Sequence, residues 1–416
     1  MSKRPKISEP NKVLFVPIND NHVRIFGSLR ELKGMKVLAI GLDKYKHEQA
    51  EETLRELGIP FKPIQRYGVE KAQHIIEVEK PDIAVVGNDI DAITSSFVKT
   101  ANSAGIPSLL VQDGAISRRA FERLINPSYI RRIVSRLIRG GGRGYVIKRG
   151  IQRAARRAAG MPETTAYGSG ECKKIAVWGI FTKGMFVGEG MDPEKVIITG
   201  NPRLDVVCKG KFNKDEFYRK LKLSKDKKIV ALATSGLVEA GLWTDNDMRI
   251  LVRAVSDAVE RFPNLQLVIK PHPRESIKEF KRYLPPKSAN TIVAKNIALY
   301  DLINVCELLM TEVSTAALEA VAFGKPVLIL NFTDKPYPST PYPEAYIKGG
   351  VALEVRKVKD LVRKMGGALY EPKVRKRFAK NRQRFVREHL FKLDGQSSKR
   401  VVGLIKQMIK SGGGQV

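Results

Sequence analysis

The sequence predicts an α/β protein built on two parallel sheets, and three observations carry that prediction. From residue 12 onward, short apolar runs alternate with longer amphipathic ones, the pattern of strands buried on both faces and joined by crossover helices. The pattern breaks at residues 117–160, and a second series of the same kind begins after residue 205. The length of 416 residues exceeds what one hydrophobic core ordinarily spans, so two domains are expected. Hydrophobic residues at 43% supply enough apolar material for both cores and too much for a disordered chain.

In the first series "VLFVPI" (13–18), "KVLAIGL" (36–42), "PDIAVVGND" (81–89) and "IPSLLVQDG" (106–114) read as strands. Between them lie the helical "EQAEETLRELG" and "TSSFVKTANSAG", the second ending on Gly105 as helix C-termini often do. "KKIAVWGIFTKGMF" resumes the pattern, and "EKVIITGNPRLD" (194–205) adds a strand that ends in a Gly-Asn-Pro turn. Pro202 biases Asn201 away from helical geometry, so the chain changes direction there, and a hinge is expected just beyond. Residues 1–205 therefore form a Rossmann-like domain, with 117–160 as a helical insertion. The second series runs through "KKIVALATSG", "MRILVRAVSDAVERF", "LQLVIKPHP", "NTIVAKN", "ALYDLINV", "ELLMTEVST", "AALEAVAFG" and "KPVLILNF", giving a second Rossmann-like domain over 206–390. Residues 391–416 form a helical tail expected to pack back on the first domain.

Lys and Arg number 74 against 43 Asp and Glu, a formal net charge of +31. Such a surplus calls for a polyanion: nucleic acid, an anionic membrane surface or a phosphorylated substrate. Much of it is local, because between Arg118 and Arg157 Glu122 is the only acid. In "SYIRRIVSRLIRG", Ile130, Ile133, Val134 and Leu137 fall at i, i+3, i+4 and i+7, while Arg131, Arg132 and Arg139 lie largely elsewhere on the wheel. That is a basic amphipathic helix, and Ile147, Ile151, Ala154 and Ala158 mark a second. The alternative is a helical excursion packed on its own domain. Cys172, Cys208 and Cys306 are too far apart for a disulfide framework or a zinc site, and a reducing cytoplasm is expected. The N-terminus does not read as a signal peptide, and no apolar run approaches the roughly 18 residues of a spanning helix. Membrane contact is therefore expected to be peripheral, on the cytoplasmic face.

Ligands of parallel α/β sheets bind beyond the C-terminal ends of the strands, and three polar signals stand there. Asp113-Gly114 ends "SLLVQ", His272-Pro273 ends "LQLVI", and Glu312-Val313-Ser314-Thr315 joins "ELLMT" to a helix carrying Glu319. Ser314 and Thr315 are placed in the first turn of that helix, where unpaired N–H groups and the helix dipole attract a phosphate, and Glu319 can take both hydroxyls of a ribose. The alternative is an ordinary N-cap followed by an exposed glutamate. His272, one of five histidines, lies between two prolines that remove backbone donors and present the ring. It suits a departing phosphate, as hydrogen-bond donor or proton source, or else is a structural histidine bonded to a carbonyl. Asp113 before a glycine also reads as a simple turn.

The set "VIITGNPRLD", "LVIKPHPRE", "TEVSTAALEAVAFGKPVLIL" and "LDGQSSKRVVGLI" resembles the glycosyltransferase-B superfamily, in the branch of CDP-glycerol glycerophosphotransferases, capsule-polysaccharide transferases and UDP-N-acetylglucosamine 2-epimerases. The resemblance implies two Rossmann-like domains facing a central cleft, the nucleotide mainly on the second and the acceptor on the first. The epimerases carry a GTRPE-like motif where this chain has "FVPINDNHVR", which counts against epimerisation; the glycerophosphotransferases have a histidine-glycine where Asp113-Gly114 stands. Bacterial sialyltransferases of this fold are similar at Asp113-Gly114, His272-Pro273 and Ser314-Thr315. That likeness implies Asp113 as general base toward an acceptor hydroxyl. It also implies phosphate binding by His272 and by Ser314 and Thr315; Lys270, Arg274, Glu319 and Ser235 are expected to complete the donor site, and His272 to ease phosphate departure.

The expected function is thus a glycosyltransferase moving a sugar from a UDP-, CMP- or CDP-linked donor to a lipid-linked or surface-glycan acceptor. It would have no cofactor or metal and would dock on an anionic membrane through Arg131, Arg132, Arg136 and Arg139. Polyol-phosphate transfer from CDP-glycerol and 2-epimerisation are the alternatives within the fold. Nucleic-acid binding is the rival of another class, although no recognised nucleic-acid module is present.

Overall fold

A computed structural model describes residues 10–29, 34–42, 50–68, 72–114, 167–168, 171–286, 288, 290–333 and 342–412. The two basic helices expected at 117–160, with Arg131, Arg132, Arg136 and Arg139, lie outside the described residues.

The strands are β1 (Lys12–Val16), β2 (Lys36–Gly41), β3 (Phe61–Pro63), β4 (Ile83–Val86), β5 (Ser108–Val111), β6 (Lys174–Val177), β7 (Val196–Ile198), β8 (Lys228–Ala233), β9 (Leu265–Lys270), β10 (Thr291–Val293), β11 (Leu308–Thr311), β12 (Val327–Leu330) and β13 (Leu353–Val355). The described helices of seven residues or more are α1 (Asp20–Ser28), α2 (Ala50–Glu56), α3 (Ala72–Glu79), α4 (Ala92–Ser103), α5 (Ile180–Gly188), α6 (Lys214–Lys220), α7 (Asp245–Glu260), α8 (Leu299–Val305), α9 (Ala316–Ala322), α10 (Tyr342–Lys348), α11 (Leu361–Tyr370), α12 (Pro372–His389) and α13 (Ser397–Gly412). They form two compact units. The first takes the described residues up to Gly114, those from 167 to Lys209 and those from Glu388 onward; the second is Gly210–Arg387.

The first unit holds a seven-stranded parallel sheet in the order β3-β2-β1-β4-β5-β6-β7. Val13, Leu14, Phe15 and Val16 point alternately to opposite faces and are all buried, so helices must cover both sides of the sheet. β1 stops at Val16 because Pro17 has no N–H to continue the ladder. Asn19 then caps α1 by accepting the His22 N–H at 2.8 Å, and Phe26 of α1 stacks on Phe15 with ring centroids 4.3 Å apart. α4 begins at Asp91, which accepts the Ile93 N–H at 3.0 Å; beyond it Gly105 has φ 73°, the left-handed turn that glycine adopts without strain.

The C-terminal helix belongs to this unit. Val401, Leu404, Ile405 and Met408 of α13 share a core with Val13, Phe15, Val85 and Leu109. Its start is held by Asp205, whose two carboxylate oxygens accept the Ser397 and Ser398 N–H groups at 2.9 and 2.8 Å. A carboxylate there satisfies otherwise orphaned helix donors and faces the positive end of the helix dipole. Gly200, at φ 81°, must be glycine for this contact, since a Cβ would lie 2.5 Å from the Ser397 hydroxyl. Elsewhere in the unit the buried Glu79 accepts hydrogen bonds from Lys12, from Lys62 at 2.6 Å and from Tyr67 at 2.6 Å. Burial alone would raise its pKa, but these three donors bring it down to about 2.

The second unit holds a six-stranded parallel sheet, β10-β9-β8-β11-β12-β13. α7 starts in a capping box between Thr244 and Asp247 and buries Met248, Leu251, Val252, Val255, Ala258 and Val259 against β8 and β9. Each of the valine, leucine and methionine side chains contributes about 1.5–3 kcal/mol relative to exposure. α12 opens on Pro372, which suits a first helical turn, and buries Phe378 and Phe385 while leaving Lys373, Arg377, Lys380, Arg384 and Arg387 exposed. Among the described residues no helix is long and apolar enough to cross a membrane.

Candidate active site

In each sheet the strand order reverses once, between β1 and β4 and between β8 and β11. Helices leave the two strands in opposite directions at such a point, which opens the strand ends to a ligand. The polar residues singled out in the sequence stand at or beside these two places.

In the first unit Asp113 follows β5, next to β4. Its Oδ2 is 2.8 Å from Nε2 of His22, a fully buried ring at the start of α1, while the Asp113 side chain is 21% exposed. Nδ1 of His22 accepts the Ile18 N–H at 3.3 Å, so the ring proton sits on Nε2 and is donated to Asp113. The loop is fixed from behind. The Asp113 N–H donates to the Tyr167 hydroxyl at 3.2 Å, and that hydroxyl donates to the Gly87 carbonyl at 2.9 Å. Burial, and then the charges of Asp113 and Asp89, push the Tyr167 phenol well above its ordinary pKa, so it stays a hydroxyl. Gln112 donates to the Gly114 carbonyl at 2.8 Å and accepts the Trp178 N–H at 2.8 Å.

In the second unit His272 follows β9. From Pro271 to Arg274 the two prolines leave two backbone donors, and both are used. The His272 N–H donates to Glu275 Oε2 at 2.6 Å and to the Thr234 hydroxyl at 3.1 Å. The Arg274 N–H donates to His272 Nδ1 at 3.2 Å, which leaves the ring proton on Nε2. The Glu275 N–H closes the turn on the His272 carbonyl at 2.9 Å. The ring lies against Gly236, where a Cβ would come within 3.1 Å of Nδ1. His272 Nδ1 is thus an acceptor for a backbone N–H and does not donate to a carbonyl. Arg274 is exposed beside it, and Lys270 donates to the Lys295 carbonyl at 3.2 Å.

Ser235, just past β8, donates to Glu312 Oε2 at 2.8 Å and accepts the Val313 N–H at 3.3 Å, tying the ends of β8 and β11 together. Glu312 is buried, and that burial, reinforced by Glu275, outweighs the Ser235 hydrogen bond and raises its pKa to about 8. Burial raises Glu275 as well. The sequence placed Ser314 and Thr315 inside the first turn of the next helix. The structure corrects this: α9 starts at Ala316, Thr315 is its N-cap, and Ser314 Oγ accepts the Ala316 N–H at 3.1 Å. The hydroxyl pair therefore precedes the helix, with Thr315 exposed. Glu319 is buried and accepts the Tyr300 hydroxyl at 3.1 Å, unlike the exposed glutamate of the alternative reading.

Sequence reasoning missed His22, Tyr167 and Gln112 in the first unit and Thr234 and Glu275 in the second. Glu275 had a usable signal, an acid three residues after His272, the spacing that closes a turn. His22 had none beyond the scarcity of histidines. Among the described residues no group of three or more His, Cys, Asp or Glu is arranged to hold a metal ion.

The model of the UDP-N-acetylglucosamine 2-epimerase family matches residues 182–406, more than half of the chain. Solved structures of similar fold include the Staphylococcus aureus MnaA–UDP complex, at 16% identity, 96% of this chain and 97% of that one, TM-score 0.62. UDP-GlcNAc 2-epimerase from Neisseria meningitidis bound to UDP-GlcNAc is similar at 14% identity over 95% and 100% of the two chains, TM-score 0.63. A variant of the wall teichoic acid polymerase TagF is similar at 13% identity over 97% and 90%, TM-score 0.57. No curated protein matches the chain in sequence. The fold is of the glycosyltransferase-B type. The chain belongs to the UDP-N-acetylglucosamine 2-epimerase family, one of the branches that the sequence motifs resemble.

Glu312 gives this site a pH signature. The native carboxyl keeps its proton up to about 8, whereas the unfolded one loses it near 4.5. Between those values unfolding releases a proton, so this group's contribution to stability falls as pH rises and is fully lost above about 8. The difference in melting temperature between Glu312→Gln and the wild type should therefore grow in the variant's favour from pH 5 to pH 9. A difference independent of pH would contradict the buried protonated carboxyl.

Proposed function

We propose that the protein acts on UDP-N-acetylglucosamine or a closely related UDP-sugar, breaking the bond between sugar C1 and the diphosphate, with inversion at C2 as the outcome. The observation that carries this is the family match, which spans the whole polar end of the second sheet. The neighbours solved with UDP and with UDP-GlcNAc support the same ligand class.

In this reading the second unit holds the nucleotide. His272 Nε2–H, Ser235, and the Ser314 and Thr315 hydroxyls meet the diphosphate with Lys270 and Arg274, and Glu319 turns to the ribose. Donors and cations of this kind matter because negative charge develops on the departing diphosphate. Inversion at C2 requires a proton to leave that carbon and return on the other face. C2 has no neighbouring carbonyl, so the C–H pair must become a C1=C2 bond while the C1–O pair leaves with UDP. Asp113 is the base assigned to that proton.

One observation favours a second outcome, glycosyl transfer. "FVPINDNHVR" replaces the epimerase motif, and its His22 is spent on Asp113, the carboxylate that would take the proton of an acceptor hydroxyl. Proton NMR in D2O separates the two. Epimerisation predicts the UDP-N-acetylmannosamine signal with deuterium at C2. Transfer predicts unchanged UDP-GlcNAc until a lipid-linked or glycan acceptor is added. Either should persist in EDTA, since the site's own cations meet the diphosphate, and Asp113→Asn should abolish it. No reaction with any UDP-sugar, with or without acceptor, would refute the proposal.

The transfer outcome would set the enzyme on the cytoplasmic face of an anionic membrane, where a lipid-linked acceptor would lie. The net charge of +31 far exceeds what one diphosphate requires. Beside the 117–160 segment, Lys373, Arg377, Lys380, Arg384 and Arg387 recur at helical spacing along the exposed face of α12. Each basic residue near such a surface is worth about 1 kcal/mol. The protein should float with vesicles containing phosphatidylglycerol at low salt and not with neutral ones. Equal behaviour toward both, or capture by RNA alone, would sink the membrane assignment.

A further inference from the structure

We infer that His22 is a positioning residue for the base: by donating its Nε2 proton to Asp113 Oδ2 it holds the carboxylate in one orientation and leaves Oδ1 to accept the substrate proton. This rests on the reading of Asp113 as base in a UDP-sugar enzyme.

The geometry decides which member of the pair meets the substrate. His22 is fully buried, whereas Asp113 keeps a fifth of its side chain exposed. A histidine acting as base would need a ring nitrogen with a lone pair turned toward the substrate. Nδ1 is taken up by the Ile18 N–H at 3.3 Å, and Nε2 carries the proton shared with Asp113 at 2.8 Å. Neither nitrogen is left to take a substrate proton, so the order of the pair is histidine behind and aspartate in front. The arrangement therefore differs from a triad in which the carboxylate stands behind the imidazole.

The residue is held at its main chain and around its ring. Asn19 accepts the His22 backbone N–H at 2.8 Å, Phe26 lies 6.5 Å from the ring between centroids, and Gly87 at the end of β4 faces the ring directly. A Cβ at Gly87 would come within 2.5 Å of His22 Cγ, so the ring occupies space that any other residue at 87 would fill. Asp113 is thereby oriented from both ends, its N–H on Tyr167 and its Oδ2 on His22. A reacting group displaced by about 1 Å loses on the order of a hundredfold in rate, which sets the expected size of the effect.

The test compares His22→Phe, which fills the space without a donor, with His22→Gln, whose amide reaches near the position of Nε2, in the wild-type background and beside Asp113→Asn. Turnover of UDP-GlcNAc is followed, with acceptor if the wild type requires it. His22→Phe should lose about a hundredfold in kcat with KM changed less than about twofold, and His22→Gln should recover most of that loss. Gly87→Ala, which displaces the ring but keeps it, should also lower kcat. Circular dichroism and UDP binding establish that each variant is folded; should His22→Phe fail to fold, His22→Gln and Gly87→Ala carry the comparison. Wild-type turnover in His22→Phe, or a folded His22→Gln no better than His22→Phe, overturns the inference while Asp113→Asn still reports on the base. A wild type inert toward every UDP-sugar overturns the functional reading, and the positioning role with it.

Discussion

Strands buried on both faces decide where this molecule can do chemistry. Val13 to Val16 in β1 and Ile229 to Leu232 in β8 are shielded by helices above and below, and a polar side chain among them would be cut off from water without a partner. Polar groups that must meet a ligand can enter where the ladders end. That is where they lie: His22 a few residues past β1, Asp113 past β5, Ser235 past β8, His272 past β9 and Glu312 past β11. The reversal of strand order at β1/β4 and β8/β11 then keeps those ends from being covered by a single layer of helices.

Each strand end is also built to hold its functional group still. In the Pro-His-Pro-Arg turn the prolines delete two donors, and the remaining two fix the His272 backbone on Glu275 and the His272 ring on the Arg274 N–H. The buried Glu275 and Glu312 are costly groups, with pKa values raised by desolvation, and their neighbours recover part of that cost through Thr234 and Ser235. In the first unit Gln112 and the high-pKa Tyr167 fix the backbone of the Asp113 loop, and His22 holds the carboxylate. Both ends thus spend buried polar contacts on orientation, which is what a bond-breaking site requires.

Much of this was legible in the sequence, because strand ends are marked by an abrupt change from apolar to polar. "SLLVQDG", "LVIKPHP" and "LLMTEVST" announced Asp113, His272 and the Ser314-Thr315 pair, and the alternation of runs announced the two parallel sheets. The partners were not legible. His22 lies in an amphipathic helix where a buried histidine reads as core, and its bond to Asp113 spans 91 residues, a distance no local pattern records. Ser314 and Thr315 have the composition of helix-start residues, so sequence alone sets the start of α9 one or two residues too early, and only the backbone shows that they stand before the helix. The likeness to the epimerase family resides in residues 182–406, where the quoted C-terminal motifs lie, and not in the first strand, where the GTRPE-like motif is absent.

The central claim is that the end of the second sheet is a uridine diphosphate site organised by the His272 turn. Calorimetric titration of the wild type and of His272→Ala with UDP, CDP and GDP tests it most directly. The account predicts that UDP binds best and that the variant loses about tenfold or more in affinity, the worth of a hydrogen bond to a charged phosphate. Absence of UDP binding, or equal affinity in the variant, would contradict it.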